Sequence, residues 1–311
     1  MSQVLLTGAA GFIGSRVARL LVADGYEVAA VVRPGAALHR LESARRGLHL
    51  APADLDSPDD VRRVVAEVRP DLAYHLAWYT SPDSYVDSVD ANIACLRSSL
   101  SLLRELLSAG CRRLVVTGTC AEYGLSSEPH SEAGPTHPRT MYGSAKLALA
   151  IAAMAAAAQT GAALTWARIF YLHGPGEDPR RRIPATILDL LAGRTVPVRG
   201  SDDVRDLLHV DDVAAALVAL GASSHAGVAN VCSGVPTTER RLLSVLAELT
   251  GGRVDDPGDD PGRPPSRTQG RPETLSGLGW RPAYDLAGGL ADSVRWWKEG
   301  VPGGLTAPAG P

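Results

Sequence analysis

The sequence predicts an α/β protein: a doubly wound parallel sheet with a smaller α/β lobe at its C-terminal end. Three observations carry this. Short apolar runs rich in β-branched residues or leucine recur along the chain: QVLLT, EVAAVV, LHLA, LAYHLA, RLVVTG, ALTWARIF and GVAN. Most are separated by roughly ten to twenty residues of helical period, the pattern of strands laid parallel under crossover helices. The first run leads through three spaced glycines straight into an amphipathic segment. After about residue 175 the alternation gives way to Pro- and Arg-containing loops and separate helices, as expected of a lobe built beside the sheet edge.

Composition bounds the function. A chain of 311 residues can bury a full core, and 45% apolar with 21% charged residues is ordinary for a globular protein. A net charge of −3 gives no reason to expect nucleic acid as a partner, although SARRG and DPRRRIP are local basic pieces able to meet a phosphate. Cys95, Cys111, Cys120 and Cys232 show no ligand spacing, so neither a metal site nor a disulfide framework is expected, and a cytoplasmic location follows. The apolar start is broken by glycines and is not a signal segment. The longest apolar window, LALAIAAMAAAAQTGAAL, is mostly alanine and suits a buried helix or subunit interface better than a bilayer.

In chain order, QVLLT is the first strand. TGAAGFIG then places Gly8, Gly11 and Gly14 between strand and helix, with Phe12 and Ile13 inside the turn. That spacing permits a tight turn, close backbone approach to a pyrophosphate and close helix–strand packing, the Rossmann-type arrangement for a dinucleotide. In SRVARLLVADG, Val17, Leu20 and Leu21 recur at helical spacing and Gly25 stops the helix. EVAAVV ends at Arg33 and not at an acid. A guanidinium suits a 2′-phosphate where a carboxylate would bind ribose hydroxyls, so NADP(H) is favoured over NAD(H). After the third strand, Asp54 and Leu55 stand where an adenine contact would sit, although DSPDD is also a helix start signal. LAYHLA ends in Leu76 and Ala77, and Trp78 and Tyr79 follow directly.

RLVVTG delivers Thr119, and MYGSAK places Tyr142 and Lys146 four apart on one helical face. An ammonium beside a phenol favours the phenolate, so Lys146 is expected to lower the Tyr142 pKa and fit it to move a proton. Taken alone, YxxxK is a common solvated pair. Its weight comes from the order of glycine turn, Thr-bearing strand end and Tyr/Lys helix.

With TGAAGFIG, HLAW, TGTCAEYG, MYGSAK, ARIFYLHGPGE, VRDLLHVDDVA and LGWRP in order, nearly the whole chain resembles the extended short-chain dehydrogenase/reductases, the NAD-dependent epimerase/dehydratases that act mainly on nucleotide sugars. The resemblance implies a cofactor domain over residues 1–175 and a mainly substrate-binding lobe over 176–300, with a crossing back to the sheet around 205–235. Residues 301–311 are expected to be a disordered tail, and 251–272 a long loop. The resemblance also implies Thr119, Tyr142 and Lys146 as catalytic residues, the last two touching the cofactor together with Leu76 and Ala77, and Trp78 and Tyr79 beside the substrate pocket. A nucleoside diphosphate would lie near Arg205, with Arg182, Ile183 and Pro184 against the base and Arg199 as a further cation. The helices SVDANIACLRSSLSLLREL and LALAIAAMAAAA resemble a four-helix homodimer interface.

Within the family, 4,6-dehydratases follow the Thr or Ser with acids that drive loss of water. Here those positions are Cys120 and Ala121; Glu122 comes one place later, which in extended backbone faces the opposite way. Dehydration is therefore disfavoured. Tyr171 stands where many epimerases carry an Asn that bonds the diphosphate. These departures resemble 4-ketoreductases of deoxysugar biosynthesis for bacterial antibiotics. The expectation is NADPH-dependent reduction of an NDP-4-keto-6-deoxyhexose, with a dTDP link implied by the resemblance. An NAD-dependent 4-epimerase, a reductase of a non-nucleotide carbonyl, and a non-catalytic dinucleotide-binding regulator are the alternatives.

Overall fold

The computed structural model of the protein describes residues 3–200, 202–256, 258 and 266–300. The tail 301–311 and residues 257 and 259–265 of the loop expected over 251–272 lie outside the described residues; the rest of that stretch is not all loop, since Val254–Asp255 and Arg267–Thr268 pair as short strands.

The first half runs β1 (Gln3–Thr7), α1 (Gly14–Ala23), β2 (Glu27–Val32), a 3-10 segment (His39–Gly47), β3 (Leu48–Pro52), α2 (Pro58–Val68) and β4 (Leu72–His75). The second runs α3 (Val89–Ser108), β5 (Arg113–Thr119), a 3-10 turn (Cys120–Glu122), α4 (Met141–Thr160) and β6 (Ala163–Ile169). Turn and cap chemistry sets the boundaries. The Ser57 hydroxyl accepts from the Asp60 N–H at 3.3 Å to open α2, and the Thr140 hydroxyl accepts from the Gly143 N–H at 3.1 Å to open α4. Gly161, at φ +73°, closes α4 in the left-handed conformation.

The rest comprises β7 (Tyr171–His173), α5 (Arg182–Leu191), β8 (Val196–Pro197), β9 (Val204–His209), α6 (Val210–Ala222), β10 (Gly227–Val231), β11 (Pro236–Thr238), α7 (Glu239–Thr250), β12 (Val254–Asp255), β13 (Arg267–Thr268), α8 (Glu273–Gly277) and α9 (Leu286–Lys298). The main sheet is parallel throughout, in the order β10-β6-β5-β4-β1-β2-β3. A smaller sheet places β9 between β11 and β13 and pairs it also with β7.

Alternation along the strands divides the core. Val4, Leu6, Val28 and Ala30 pack with Val17, Leu21, Val213 and Leu217 on the face carrying α1 and α6. Leu5, Val31 and Ala73 pack with Val61, Leu102, Leu149 and Ala153 on the face carrying α2, α3 and α4. Period-2 burial on both faces is what a parallel sheet under two helical layers demands. A separate core in the lobe gathers Ile183, Ile187, Leu242, Leu246, Leu290 and Trp297 from α5, α7 and α9. Helix α4 is long and apolar enough to cross a membrane by length and composition, but its Ala145, Leu149, Ala153 and Ala157 face is buried on the sheet.

Candidate active site

Strand order reverses between β1 and β4, which opens a crevice at their C-terminal ends, the usual ligand position in such sheets. Gly8 sits at φ +72°, and a Cβ there would lie 2.8 Å from the Ala77 nitrogen. A Cβ on Gly14 would lie 2.1 Å from the Gly8 carbonyl oxygen. Both positions therefore require glycine, and the closeness is backbone against backbone. The Ala77 N–H donates to the Thr7 hydroxyl at 3.3 Å, so the glycine turn and Leu76–Ala77 form one rim. His75 is locked beneath it between the Thr7 hydroxyl (2.7 Å) and the Ser99 hydroxyl (2.8 Å), and burial depresses its pKa to about 3, which keeps it neutral.

These features fit a dinucleotide: a backbone cradle without side chains at the helix start, facing the crevice. Arg33 is exposed just beyond β2, at the same sheet edge as the glycine turn, because Thr7 pairs with Val31 in parallel register. Asp54 and Leu55 are half-buried after β3. The Asp54 N–H donates to the Asp60 carboxylate at 2.9 Å, so this stretch does serve as the start of α2, and Leu55 packs against the core.

Thr119, Tyr142 and Lys146 are brought together across the end of β5 and the first turns of α4. Lys146 is 3% exposed; its ammonium donates to the Thr117 carbonyl at 2.7 Å and lies 4.0 Å from the centre of the Trp78 ring. Trp78 is pinned by its indole N–H on Asn92 Oδ1 at 3.0 Å, and Asn92 in turn donates to the Tyr85 and Ser88 carbonyls. The Tyr142 ring is held edge-on by Tyr85 at 5.1 Å and Trp78 at 6.3 Å. The expected lowering of the phenol pKa is not found. Burial raises it, the neighbouring Thr119 hydroxyl only partly countering, while burial pulls Lys146 itself down to about 7. Desolvation sets the sign for both groups, because each is most easily buried in its neutral form.

Glu122 is not on extended backbone as expected: the backbone there is a 3-10 turn, so the face-alternation argument does not apply. The carboxylate is nevertheless withdrawn from the reacting side: it is fully buried and accepts from the Thr119 N–H at 2.8 Å, the Trp166 indole at 3.0 Å and the Arg168 guanidinium at 2.7 Å.

The lobe residues divide. Arg205 and Tyr171 meet, the guanidinium 5.1 Å from the ring centre, because β7 and β9 pair in parallel. Arg182 is instead taken by Glu239, Ile183 turns into the lobe core, Pro184 is buried in the first turn of α5, and Arg199 is exposed. Arg181 was not singled out from the sequence. It donates to the Thr80 carbonyl at 2.7 Å and covers the Tyr85 ring at 4.7 Å, linking the lobe to the aromatic wall around Tyr142. Nothing in the run Arg180–Arg182 tells which of three arginines faces inward; that depends on where α5 begins.

The profile of the NAD dependent epimerase/dehydratase family matches residues 4–232. A UDP-glucose 4-epimerase of Mycolicibacterium smegmatis is 30% identical over 327 aligned positions, covering 95% of this chain and 98% of that protein. A dTDP-glucose 4,6-dehydratase of Streptomyces griseus is 31% identical, covering 97% and 98%. The crystal structure of a Thermus thermophilus UDP-glucose 4-epimerase in complex with NAD superposes with a TM-score of 0.84 at 28% identity, covering 96% and 99%.

Proposed function

The chain belongs to the NAD-dependent epimerase/dehydratase family, and from that premise we propose that it reduces the 4-keto group of an NDP-4-keto-6-deoxyhexose, using NADPH. The observation that carries this is the state of Glu122. It is the one carboxylate in the stretch 119–124, and its bonds to Thr119, Trp166 and Arg168 leave it no part in expelling a hydroxyl. Chemistry that needs a hydride and one proton remains.

In this reading the bound nicotinamide dinucleotide supplies the hydride. The glycine turn, Leu76 and Ala77 would hold it, Arg33 would meet a 2′-phosphate, and Lys146 would reach its ribose. Thr119 orients the ketone oxygen. Tyr142 gives its proton to that oxygen as the alkoxide forms, and a phenol kept protonated by burial suits the donor's part. Arg205, braced on Tyr171, faces the diphosphate, and the aromatic wall of Trp78, Tyr85 and Tyr142 excludes water from the sugar. A second reading, an NAD-dependent 4-epimerase, is favoured by the names of the relatives and by the NAD in the Thermus structure.

Purified protein mixed with dTDP-4-keto-6-deoxyglucose should oxidise NADPH stoichiometrically, and faster than NADH. Arg33→Asp should raise the KM for NADPH by about ten- to a hundred-fold, the worth of one charge-assisted contact of about 1.5–3 kcal/mol. No oxidation, with slow equilibration of a sugar nucleotide and its 4-epimer, would establish the second reading instead.

A homodimer belongs to the same proposal. Val89, Ile93 and Leu100 of α3 and Ile151 of α4 are 54%, 51%, 38% and 61% exposed, an apolar face suited to a second copy. Sedimentation should give twice the monomer mass, and Ile93→Arg combined with Ile151→Arg should return it to the monomer; a wild-type monomer would refute the assignment.

A further inference from the structure

We propose that Glu122 is a positioning residue that fixes the Thr119 hydroxyl, a role that rests on the reading of Thr119 as the group orienting the substrate oxygen. Thr119 is the last extended residue of β5, at φ −149° and ψ 148°, and the chain turns at once into Cys120–Glu122. A strand end of this kind has lost its ladder partners on one side and is free to rock unless something else holds the peptide. Glu122 does so by reaching back three residues to the Thr119 N–H at 2.8 Å. The reciprocal bond, from the Ala121 N–H to the Thr119 hydroxyl oxygen at 3.2 Å, engages one acceptor site of that oxygen. The hydroxyl hydrogen is thereby left to face the Tyr142 phenol, which it meets, and a substrate oxygen placed beside it.

The carboxylate is itself held from two sides. Trp166 and Arg168 lie two apart on β6 and so share a face, opposite Val116 and Gly118 of β5. The indole N–H donates to both carboxylate oxygens, at 3.0 and 3.1 Å, and Arg168 Nε donates to the outer one at 2.7 Å. Gly118 makes room for this clamp: a Cβ there would stand 2.2 Å from the indole nitrogen and 2.6 Å from the Glu122 oxygen. On the other side the turn abuts the start of α4, where a Cβ on Gly143 would stand 2.6 Å from the Ala121 carbonyl oxygen. Strand end, turn and Tyr142 helix thus form one rigid unit, and the carboxylate is its pin.

Two paired replacements test this, each removing the ion pair as a unit so that no buried charge is stranded. Glu122→Val with Arg168→Met removes the acceptor from the Thr119 N–H; Glu122→Gln with Arg168→Gln retains one. The first is expected to fold cooperatively in urea and to lose at least about tenfold in kcat with both KM values unchanged, since a displacement on the order of 1 Å costs up to about a hundredfold. The second should restore kcat to within about threefold of wild type on the same reasoning. Glu122→Asp, which keeps the charge but is one methylene short of spanning Thr119 and Arg168, is the second probe and should show the same kcat loss if the apolar pair fails to fold. In a Thr119→Ala background neither change should lower kcat further, whereas a merely structural role would lower it equally there. Wild-type kcat in the folded apolar pair or in Glu122→Asp, beside an inactive Thr119→Ala, overturns this role alone. Full activity of Thr119→Ala overturns the reading of Thr119 and this role with it.

Discussion

Tyr142→Phe is expected to lower kcat by about 10²- to 10⁴-fold, the usual range for a positioned proton donor, without disturbing the fold. The physical reason is that the hydroxyl alone is removed. The Tyr142 N–H stays on the Val86 carbonyl at 3.0 Å, and the ring keeps its edge-on contacts with Tyr85 and Trp78, none of which uses the phenolic oxygen. The glycine turn and the Leu76–Ala77 rim that would hold most of the cofactor lie on β1, β4 and their loops and make no use of the phenolic oxygen. Cofactor affinity, read by quenching of tryptophan fluorescence, should therefore match wild type while single-turnover oxidation of NADPH collapses. Unchanged single-turnover rates would mean that another group delivers the proton, and the assignment of Tyr142 would fall.

The largest expected effect on stability comes from Arg168→Met. The Arg168 side chain is 5% and that of Glu122 0% exposed, with 2.7 Å between them. Removing one partner leaves the other charge buried without compensation, at a cost of about 3–5 kcal/mol, whereas apolar replacement of both is often neutral or stabilising. Burial already pushes the Glu122 pKa above the usual 4.5, with Arg168 pulling it back. In the variant that restraint is gone, so Glu122 folds as the neutral acid. A carboxyl whose folded pKa is raised keeps its full stability below the unfolded pKa and loses it as pH rises through the folded value. The stability deficit of Arg168→Met should accordingly widen from pH 4.5 upward, and urea midpoints at pH 5 and pH 8 measure it. A deficit that is constant with pH would show that Glu122 is not the group left stranded.

Arg168 was visible in the sequence only as part of ARIF, and Glu122 only as a carboxylate out of register with its catalytic counterparts in dehydratases. Their pairing depends on β5 and β6 being neighbours, with Gly118 opposite Arg168, across more than forty residues of intervening chain. The direction of the Tyr142 pKa shift is not legible from spacing for a related reason. Spacing places Lys146 on the same helical face, but the sign of the shift is set by how much water both groups lose, which is a property of the packed cleft. The resemblance likewise implies Arg182 as a base contact, and only the structure shows that its guanidinium pairs with Glu239 of α7.

The sequence by itself determined the parallel α/β class, the glycine turn, the rim at Leu76–Ala77 and the grouping of Thr119 with Tyr142 and Lys146. The class and the glycine turn follow from local periodicity and from short-range geometry in which one residue type alone meets the steric demand, as at Gly8 and Gly14, whereas the Leu76–Ala77 rim and the grouping of Thr119 with Tyr142 and Lys146 are what the order of motifs, through its resemblance to the family, implies. Only the tertiary structure decided which charges meet: Glu122 with Arg168, Arg181 with Tyr85, Arg205 with Tyr171. Such contacts join elements far apart in the chain, and their energies depend on burial and on strand order, neither of which is encoded in the spacing of neighbouring residues.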